Sequence, residues 1–254
     1  MARRRAAGGG GVTGVARRPP RGRPAAWLGR AAEPWASAAR RRLRVAELFA
    51  SIQGEGTRAG LPTVFVRFTG CALRCSWCDT AWAFREGTWR KAGEIAREVE
   101  ASGLAHVCLT GGEPLLQPGV VPLARHLAED LGLDVVVETG GDQDISVLPP
   151  SVVRILDVKL PSSGMHERMD PENLRRLSER DEVKFVIADR TDYEAARRIL
   201  RRDLASFRGA VLFAPAHGLC APERLAGWML EDRLPARLQI QIHKAIWPGR
   251  DRGI

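Results

Sequence analysis

The chain has 254 residues and a formal net charge of +9, enough length for one barrel-sized domain or two small ones. It contains no run of 18 apolar residues, which argues against a membrane-spanning helix. Three of its five cysteines fall within eight residues, which does not suit a disulfide framework and predicts a reducing, cytoplasmic location.

The positive charge is concentrated at the N-terminus. Residues 1–44 contain twelve Arg and one acidic residue, a net of +11, so the remaining chain carries about −2. That remainder has no excess charge to neutralise nucleic-acid phosphates. The Arg/Gly/Pro-rich composition predicts a disordered extension over residues 1–44, followed by one domain over 45–254. A start codon assigned too far upstream would explain the extension, and a transit peptide is the weaker alternative.

From residue 45 onward, short apolar runs alternate with helical periodicity. The pattern predicts strands over 45–50, 63–68, 105–110, 134–138, 153–158, 182–187, 210–214 and 237–242, and helices over 92–102, 119–131, 171–179, 191–207 and 221–231. Asp170 before Pro171 predicts one helix start, and Thr191 with Glu194 predicts another through a capping box. No helix fits between about 139 and 152. The alternation predicts a parallel α/β fold.

Polar or Gly-rich clusters follow the predicted strands where each strand ends. They are Thr110–Pro114, Glu138–Gly141, Asp157–Lys159, Ala214–Gly218 and Gln241–Lys244. The carboxyl ends of parallel strands meet at one edge, which holds the active site in barrels and open α/β sheets. These clusters therefore predict one site.

The densest motif is Cys71, Cys75 and Cys78, spaced C-x3-C-x2-C. A structural zinc site needs four ligands, and no fourth lies nearby in the sequence. An iron–sulfur cluster also takes four ligands, so three thiolates leave one iron open to a ligand that is not protein. We favour the open cluster over a zinc site and over a chance grouping.

The cysteine motif with Trp77 resembles the signature of the radical S-adenosylmethionine (SAM) superfamily, and Gly111–Pro114 resembles its second element. In that superfamily SAM binds the open iron of a [4Fe-4S] cluster, and its reductive cleavage gives an adenosyl radical that abstracts hydrogen from substrate. The resemblance implies an incomplete (β/α) barrel. Glycine lets the backbone approach a ligand closely, and Glu113 would accept hydrogen bonds from the SAM ammonium group.

A narrower resemblance covers residues 45–254. Ser51–Gly56, Cys78-Asp79-Thr80, Lys159–Ser163 and Gln241–Lys244, in this order, are similar to the 7-carboxy-7-deazaguanine synthase family. That family is a radical SAM lyase of 7-deazapurine (queuosine precursor) biosynthesis. The resemblance implies ring contraction of 6-carboxy-5,6,7,8-tetrahydropterin to 7-carboxy-7-deazaguanine with loss of ammonia, and regeneration of SAM.

The resemblance also implies site residues. The metal ligands are Cys71, Cys75 and Cys78 for the cluster and Thr80 for Mg²⁺. The substrate contacts are Ile52, Gln53, Gly54, Glu55, Arg67, Thr110, His243 and Pro248. The SAM contacts are Trp77, Gly111, Gly112, Glu113, Glu138, Asp157, Val158, Lys159, Lys184 and Pro215. No side chain is assigned a catalytic role beyond the cluster and the adenosyl radical.

The sequence departs from the family pattern in two places. Serine is common at the position of Asp157, and the chain continues for seven residues after Trp247. The expected partners are the pterin substrate, a flavodoxin or ferredoxin-type reductant and a second copy in a homodimer, with neither nucleic acid nor membrane bound by the folded body. The alternatives are a glycyl-radical-enzyme activase and a zinc-stapled nucleic-acid-binding protein.

Overall fold

A computed structural model describes residues 33–254, in which nine strands form one sheet. The strands are β1 (Arg42–Ile52), β2 (Pro62–Phe68), β3 (Thr88–Lys91), β4 (His106–Gly111), β5 (Asp134–Thr139), β6 (Val153–Val158), β7 (Glu182–Ile187), β8 (Ala210–Pro215) and β9 (Arg237–Leu238). The helices are α1 (Trp35–Ala38), α2 (Ala92–Ala101), α3 (Val120–Arg125), α4 (Arg190–Arg202), α5 (Pro222–Glu231) and α6 (Ile242–Ile246). No helix in the described residues is long and apolar enough to span a bilayer.

The spatial strand order is β3-β1-β2-β4-β5-β6-β7-β8-β9. β1 pairs antiparallel with β2 and β3, and all pairs from β2–β4 to β8–β9 are parallel. Within residues 33–254, β3 and β9 are the two edge strands and do not pair with each other, so the sheet stays open. The sheet is therefore an incomplete α/β barrel, as predicted.

Successive side chains along each strand point to opposite faces of the sheet. One face packs in two large cores, the first with α2 and α3 and the second with α4 and α5. The opposite, inner face has only a small apolar cluster of Phe65, Cys108, Val136, Val153 and Ile155. The inner face is therefore apolar near the start of the parallel strands and polar near their ends, where the site lies.

Four predicted helices are present and one cap is wrong. The 92–102 and 221–231 predictions match α2 and α5, the 119–131 prediction matches α3 and the π-helical turn after it (His126–Asp130), and the 191–207 prediction matches α4, which ends at Arg202. Asp170 accepts a hydrogen bond from the backbone of Glu172. The residues after Asp170 form a 3₁₀ helix (Pro171–Arg175). Thr191 does not cap α4, because Asp189 accepts the capping hydrogen bond instead. Between 139 and 152 only a 3₁₀ turn occurs.

The boundary predicted at residue 45 is wrong for the last part of the extension. β1 begins at Arg42, where it pairs with β3, and Leu43 is buried in the first core. Trp35 of α1 stacks on His126 with ring centroids 3.9 Å apart. These apolar contacts stabilise residues 35–44 against the neighbouring elements. The rest of the predicted extension, residues 1–32, lies outside the described residues.

Candidate active site

Five polar side chains form a row across the inner face. Arg67, Thr110, Glu138, Asp157 and Lys184 lie on β2, β4, β5, β6 and β7. Arg67 is in register with Thr110, and Asp157 is in register with Lys184. The sequence neighbours of these residues pack in the outer cores, so strand alternation directs the polar set inward.

The cysteine loop begins directly after β2 and rests on the Gly-Gly turn after β4. The backbone N–H of Glu113 donates to the carbonyl of Gly70 at 2.7 Å, and that of Gly112 donates to the carbonyl of Phe68 at 3.0 Å. A Cβ on Gly112 would lie 2.0 Å from the Gly70 oxygen. Only glycine allows this approach, so the turn fixes the position of the loop that carries Cys71.

The Glu113 carboxylate, predicted to contact SAM, is hydrogen-bonded within the protein. It is fully buried and accepts hydrogen bonds from the backbone of Leu115 and Gly140 and from the hydroxyl of Thr139. Burial raises the pKa of Glu113 to about 7, despite these bonds. Glu113 does not line the cavity described below, so the geometry makes it a brace between two strand-end turns.

Residues 53–56 and 239–244 meet on the inner side of the sheet. The Glu55 carboxylate accepts hydrogen bonds from Lys184 Nζ and from Gln241 Nε2, both at 2.6 Å. Burial alone would raise the pKa of Glu55, but the Lys184 ammonium lowers it to about 2. Glu55 is therefore ionised at neutral pH and presents carboxylate acceptors.

Gly54 makes room for His243. A Cβ at position 54 would lie 1.8 Å from His243 Nδ1, and the backbone N–H of Ile242 donates to the Gly54 carbonyl at 3.2 Å. Burial lowers the pKa of His243, so its imidazole is neutral at neutral pH. The two segments thus hold a carboxylate and a neutral imidazole side by side.

Two further pairs occupy the middle of the sheet. Lys159 Nζ lies 3.1 Å from Asp157 Oδ2 and 5.2 Å from the centroid of the Trp77 ring. The Thr110 hydroxyl donates to Glu138 at 2.7 Å. Burial raises the pKa of Glu138, while Lys184 opposes that rise.

Arg67 is held from three sides. Its Nε donates to Glu47 at 2.7 Å, and its guanidinium lies 6.0 Å from the ring centroids of both Phe49 and Trp82. In the described part of the chain, its two terminal nitrogens donate no hydrogen bond. Those nitrogens form the flat fork that binds a carboxylate in two places.

The residues after Trp247 fold back to the same region. The backbone N–H of Gly253 donates to Glu47 at 3.1 Å. Arg252 lies 4.1 Å from the Trp82 ring centroid and pairs with Glu86 at 2.9 Å. The additional C-terminal residues therefore form part of the wall around Arg67.

A cavity of about 310 Å³ joins these groups. It is lined by most of the predicted site residues, namely Cys71, Cys75, Cys78, Thr80, Gln53, Glu55, Arg67, Thr110, His243, Trp77, Gly111, Gly112, Glu138, Asp157, Lys159, Lys184 and Pro215. Ile52, Gly54, Glu113, Val158 and Pro248 do not line it. Val158 packs in the second core because its side chain points to the outer face of β6 and away from the cavity.

The cavity has lining residues that the sequence did not predict as ligand contacts. They include Leu73, Asp79, Phe84, Thr139, His217, Gln241, Lys244, Arg250, Asp251 and Ile254. The Gln-x-His-Lys motif contains Gln241, but the motif does not predict what its side chain contacts. In the structure Gln241 positions the Glu55 carboxylate through a hydrogen bond between residues 186 apart in sequence.

The donor set fits a cluster with SAM. The three thiols are free and line one cavity, and within residues 33–254 no three His, Cys, Asp or Glu side chains converge on a single metal ion. A cluster satisfies this arrangement because its thiolates bind different irons. Gln53 Nε2, Trp77 Nε1 and Asp157 Oδ1 are buried without a hydrogen-bond partner, so the wall offers polar atoms for a ligand.

This site and fold define a radical SAM protein, and a sequence profile of the radical SAM superfamily matches residues 65–157. The chain is 41% identical to the 7-carboxy-7-deazaguanine synthase of Koribacter versatilis, over 84% of this chain and 100% of that one. It is 40% identical to the 7-carboxy-7-deazaguanine synthase of Chlorobaculum tepidum, over 84% and 97%. The chain belongs to the 7-carboxy-7-deazaguanine synthase family.

A solved structure shares the fold. The crystal structure of QueE from Escherichia coli superposes with a TM-score of 0.66 and covers 79% of this chain and 94% of that chain, at 22% identity. The comparisons confirm the predicted family, the lyase class and the cofactors: a [4Fe-4S] cluster, SAM and Mg²⁺. The activase and zinc-protein alternatives have no support in them.

Proposed function

We propose that this cavity converts 6-carboxy-5,6,7,8-tetrahydropterin to 7-carboxy-7-deazaguanine. The observation that carries the proposal is that the three cysteines and the Gln53, Glu55, Arg67 and His243 set line one cavity. The bound cluster and SAM supply the radical chemistry that removes a hydrogen atom from the substrate. The remaining functions, which are binding, orientation and exclusion of water, belong to the chain itself.

Glu55 holds the pyrimidine edge of the pterin. Each carboxylate oxygen has two lone-pair positions, and Lys184 and Gln241 each use one of them. One position on each oxygen remains for the paired N–H donors of an aminopyrimidinone. Gln53 Nε2, buried and without a partner, adds a donor beside them.

Arg67 holds the substrate carboxylate at the other end. Its terminal nitrogens point away from the Glu47 bond, and flanking aromatic rings restrict its plane. His243 and Thr110 line the same cavity and contribute polar contacts. Two fixed ends would set the position of the carbon between them relative to the cysteine loop.

Thr80 holds Mg²⁺. It precedes a 3₁₀ helix (Ala81–Phe84), but its side chain makes no capping hydrogen bond, so the hydroxyl is not used for the common structural role. The hydroxyl lies 3.8 Å from Cys78 Sγ. A metal held there would be next to the cluster and would take its remaining ligands from substrate and water.

The SAM contacts are divided between two kinds of group. Gly111 and Gly112 give backbone access, while Glu138, Asp157 and Lys159 offer charged groups to the ribose and methionine parts. Trp77, with an unpartnered Nε1, and Lys184 and Pro215 complete the wall. The brace role of Glu113 replaces direct contact with the ammonium group.

Anaerobic turnover tests the proposal. The reconstituted chain should form 7-carboxy-7-deazaguanine from the pterin with dithionite and SAM, measured by mass spectrometry. Cys71→Ala should lose iron, sulfide and product, whereas Cys220→Ala, in the second outer core, should retain all three. Absence of product from a chain with full iron content would reject the proposal.

We further propose that the reductant is a flavodoxin or ferredoxin-type protein, that the protein acts in the cytoplasm and that it forms a homodimer. Leu238, Ile240 and Ile246 are exposed near the β9 edge, which supports contact between copies there. Light scattering with Ile246→Glu tests the dimer: the mass should halve. An unchanged mass would reject this interface.

A further inference from the structure

A second surface feature lies on the other side of the cysteine loop. It is an open groove of about 510 Å³ between β1, β3 and the turn after β4. We call it the arginine groove and define it by Arg41, Arg42, Arg44, Phe84, Trp89 and Leu116. The turnover chemistry described above uses none of its charged residues.

The groove is positive with an apolar centre. All the charged residues that line it are arginines. Arg41 pairs with Glu33, but the Arg44 guanidinium donates only to backbone carbonyls and the Arg42 guanidinium lies over the Trp89 ring at 5.7 Å. In the described chain, neither Arg42 nor Arg44 has a carboxylate partner. Trp89 is 57% exposed.

The groove and the catalytic cavity share a wall. Phe84 lines both, and Gly70, which precedes Cys71, lines the groove. Gln117 fixes this wall: its amide nitrogen donates to the carbonyls of Arg44 and Thr69, both at 3.0 Å. Arg74, inside the cysteine loop, lies 4.3 Å from the Phe84 ring and extends the positive surface. A partner in the groove therefore lies one layer of residues from the cysteine loop.

We infer that the arginine groove is the docking surface for the small acidic electron carrier that reduces the cluster. The inference rests on the proposed function, because a radical enzyme of this class needs a reductant. One electron would pass from the reduced carrier to the oxidised cluster held by the cysteine loop, and no bond would form or break. Charge complementarity would steer an acidic partner, and an exposed Trp with flanking Arg side chains is typical of an interface centre.

Two other occupants fit the groove less well. A two-fold contact between copies of this chain through the groove would place arginines opposite arginines, which repel one another. A nucleic acid would match the positive charge, but its binding does not require a surface next to the cysteine loop. The position of the groove favours an electron donor.

The test uses the full chain with its cluster and the double variant Arg41→Glu/Arg42→Glu. Binding of purified flavodoxin and ferredoxin is measured by calorimetry at low and high ionic strength. The variant should raise the Kd for the carrier at least about tenfold at low ionic strength. Turnover with flavodoxin should fall while turnover with dithionite stays unchanged. Arg198→Glu/Arg201→Glu, two exposed positions on α4, is the matched control and should bind as the parent does.

Three results would overturn the inference. One is equal carrier affinity in the parent and the groove variant, and a second is an equal loss in the α4 control. The third is tight, groove-dependent binding of RNA without binding of either carrier. If the double variant loses iron, the milder variant Arg42→Gln replaces it in the binding measurement. The dependence of the parent's Kd on ionic strength tests the charge argument without any variant. If the parent chain shows no turnover with dithionite, the proposed function is rejected, while the measured affinity for the carrier still stands.

Discussion

Replacing Glu55 with Gln should destabilise the chain in a way that depends on pH. The ordinary pKa of 4.5 and the value of about 2 in the folded protein differ by an amount worth about 3 kcal/mol. Because the folded-state pKa is the lower one, this contribution is complete above pH 4.5 and is lost as the pH falls toward 2. Glu55→Gln should therefore lower the free energy of unfolding by about 3 kcal/mol at pH 7.

Urea unfolding of the iron-free chain under anaerobic reducing conditions measures this difference. Glu98→Gln is the control, because the Arg90–Glu98 pair is similarly close at 2.5 Å but Glu98 is exposed. The control should lose less than about 1 kcal/mol. At pH 3 the gap between parent and Glu55→Gln should be much smaller than at pH 7. A loss no larger than the control's, or a gap that is the same at both pH values, would refute the reasoning.

Three further changes test other parts of the site. Gly54→Ala should displace His243 and raise KM for the pterin without changing iron content, whereas Gly227→Ala on α5, with open space around it, should not. Glu47→Ala removes a charge-assisted bond to Arg67 and should raise KM about tenfold with the cluster intact. Deletion of residues 1–42 removes α1 and should lower the melting temperature relative to deletion of 1–32, because Trp35 then no longer stacks on His126. An unchanged KM in Gly54→Ala or Glu47→Ala, or equal melting temperatures of the two deletions, would contradict the contacts described for these residues.

Sequence patterns predicted the fold where side chains are buried on a regular period. Eight of the nine strands were predicted, seven of them because their apolar residues form the two outer cores. The eighth, β9, is short and exposed. β3 was missed, since Thr88–Lys91 is short and largely exposed and has no apolar alternation. The strand predicted over 237–242 ends at Leu238, although apolar and polar residues alternate beyond it.

The reason for that early end is a set of long-range polar contacts. Gln239 accepts a hydrogen bond from the backbone of Gly56 at 2.7 Å, and Gln241 donates to Glu55. These bonds draw the chain away from β8 and into α6. No pattern within residues 237–246 contains this information.

The site was predictable as a set of residues but not as a set of orientations. The motifs identified the cysteine loop and the strand-end clusters, and the cavity joins most of them. The motif could not show that the Glu113 carboxylate is used by Thr139 and Gly140, or that Val158 points outward. Both depend on which face of a strand or turn a side chain occupies.

The return of the C-terminal residues to the cavity affects how the protein can be handled. Arg250, Asp251 and Ile254 line the cavity, and Gly253 is hydrogen-bonded to Glu47. Any fusion partner joined after Ile254 would start at the wall of the cavity that Arg67 also lines. A polyhistidine tag there would also bring metal-binding imidazoles close to the cysteines during cluster reconstitution. An affinity tag therefore belongs at the other end of the chain, ahead of the arginine-rich segment.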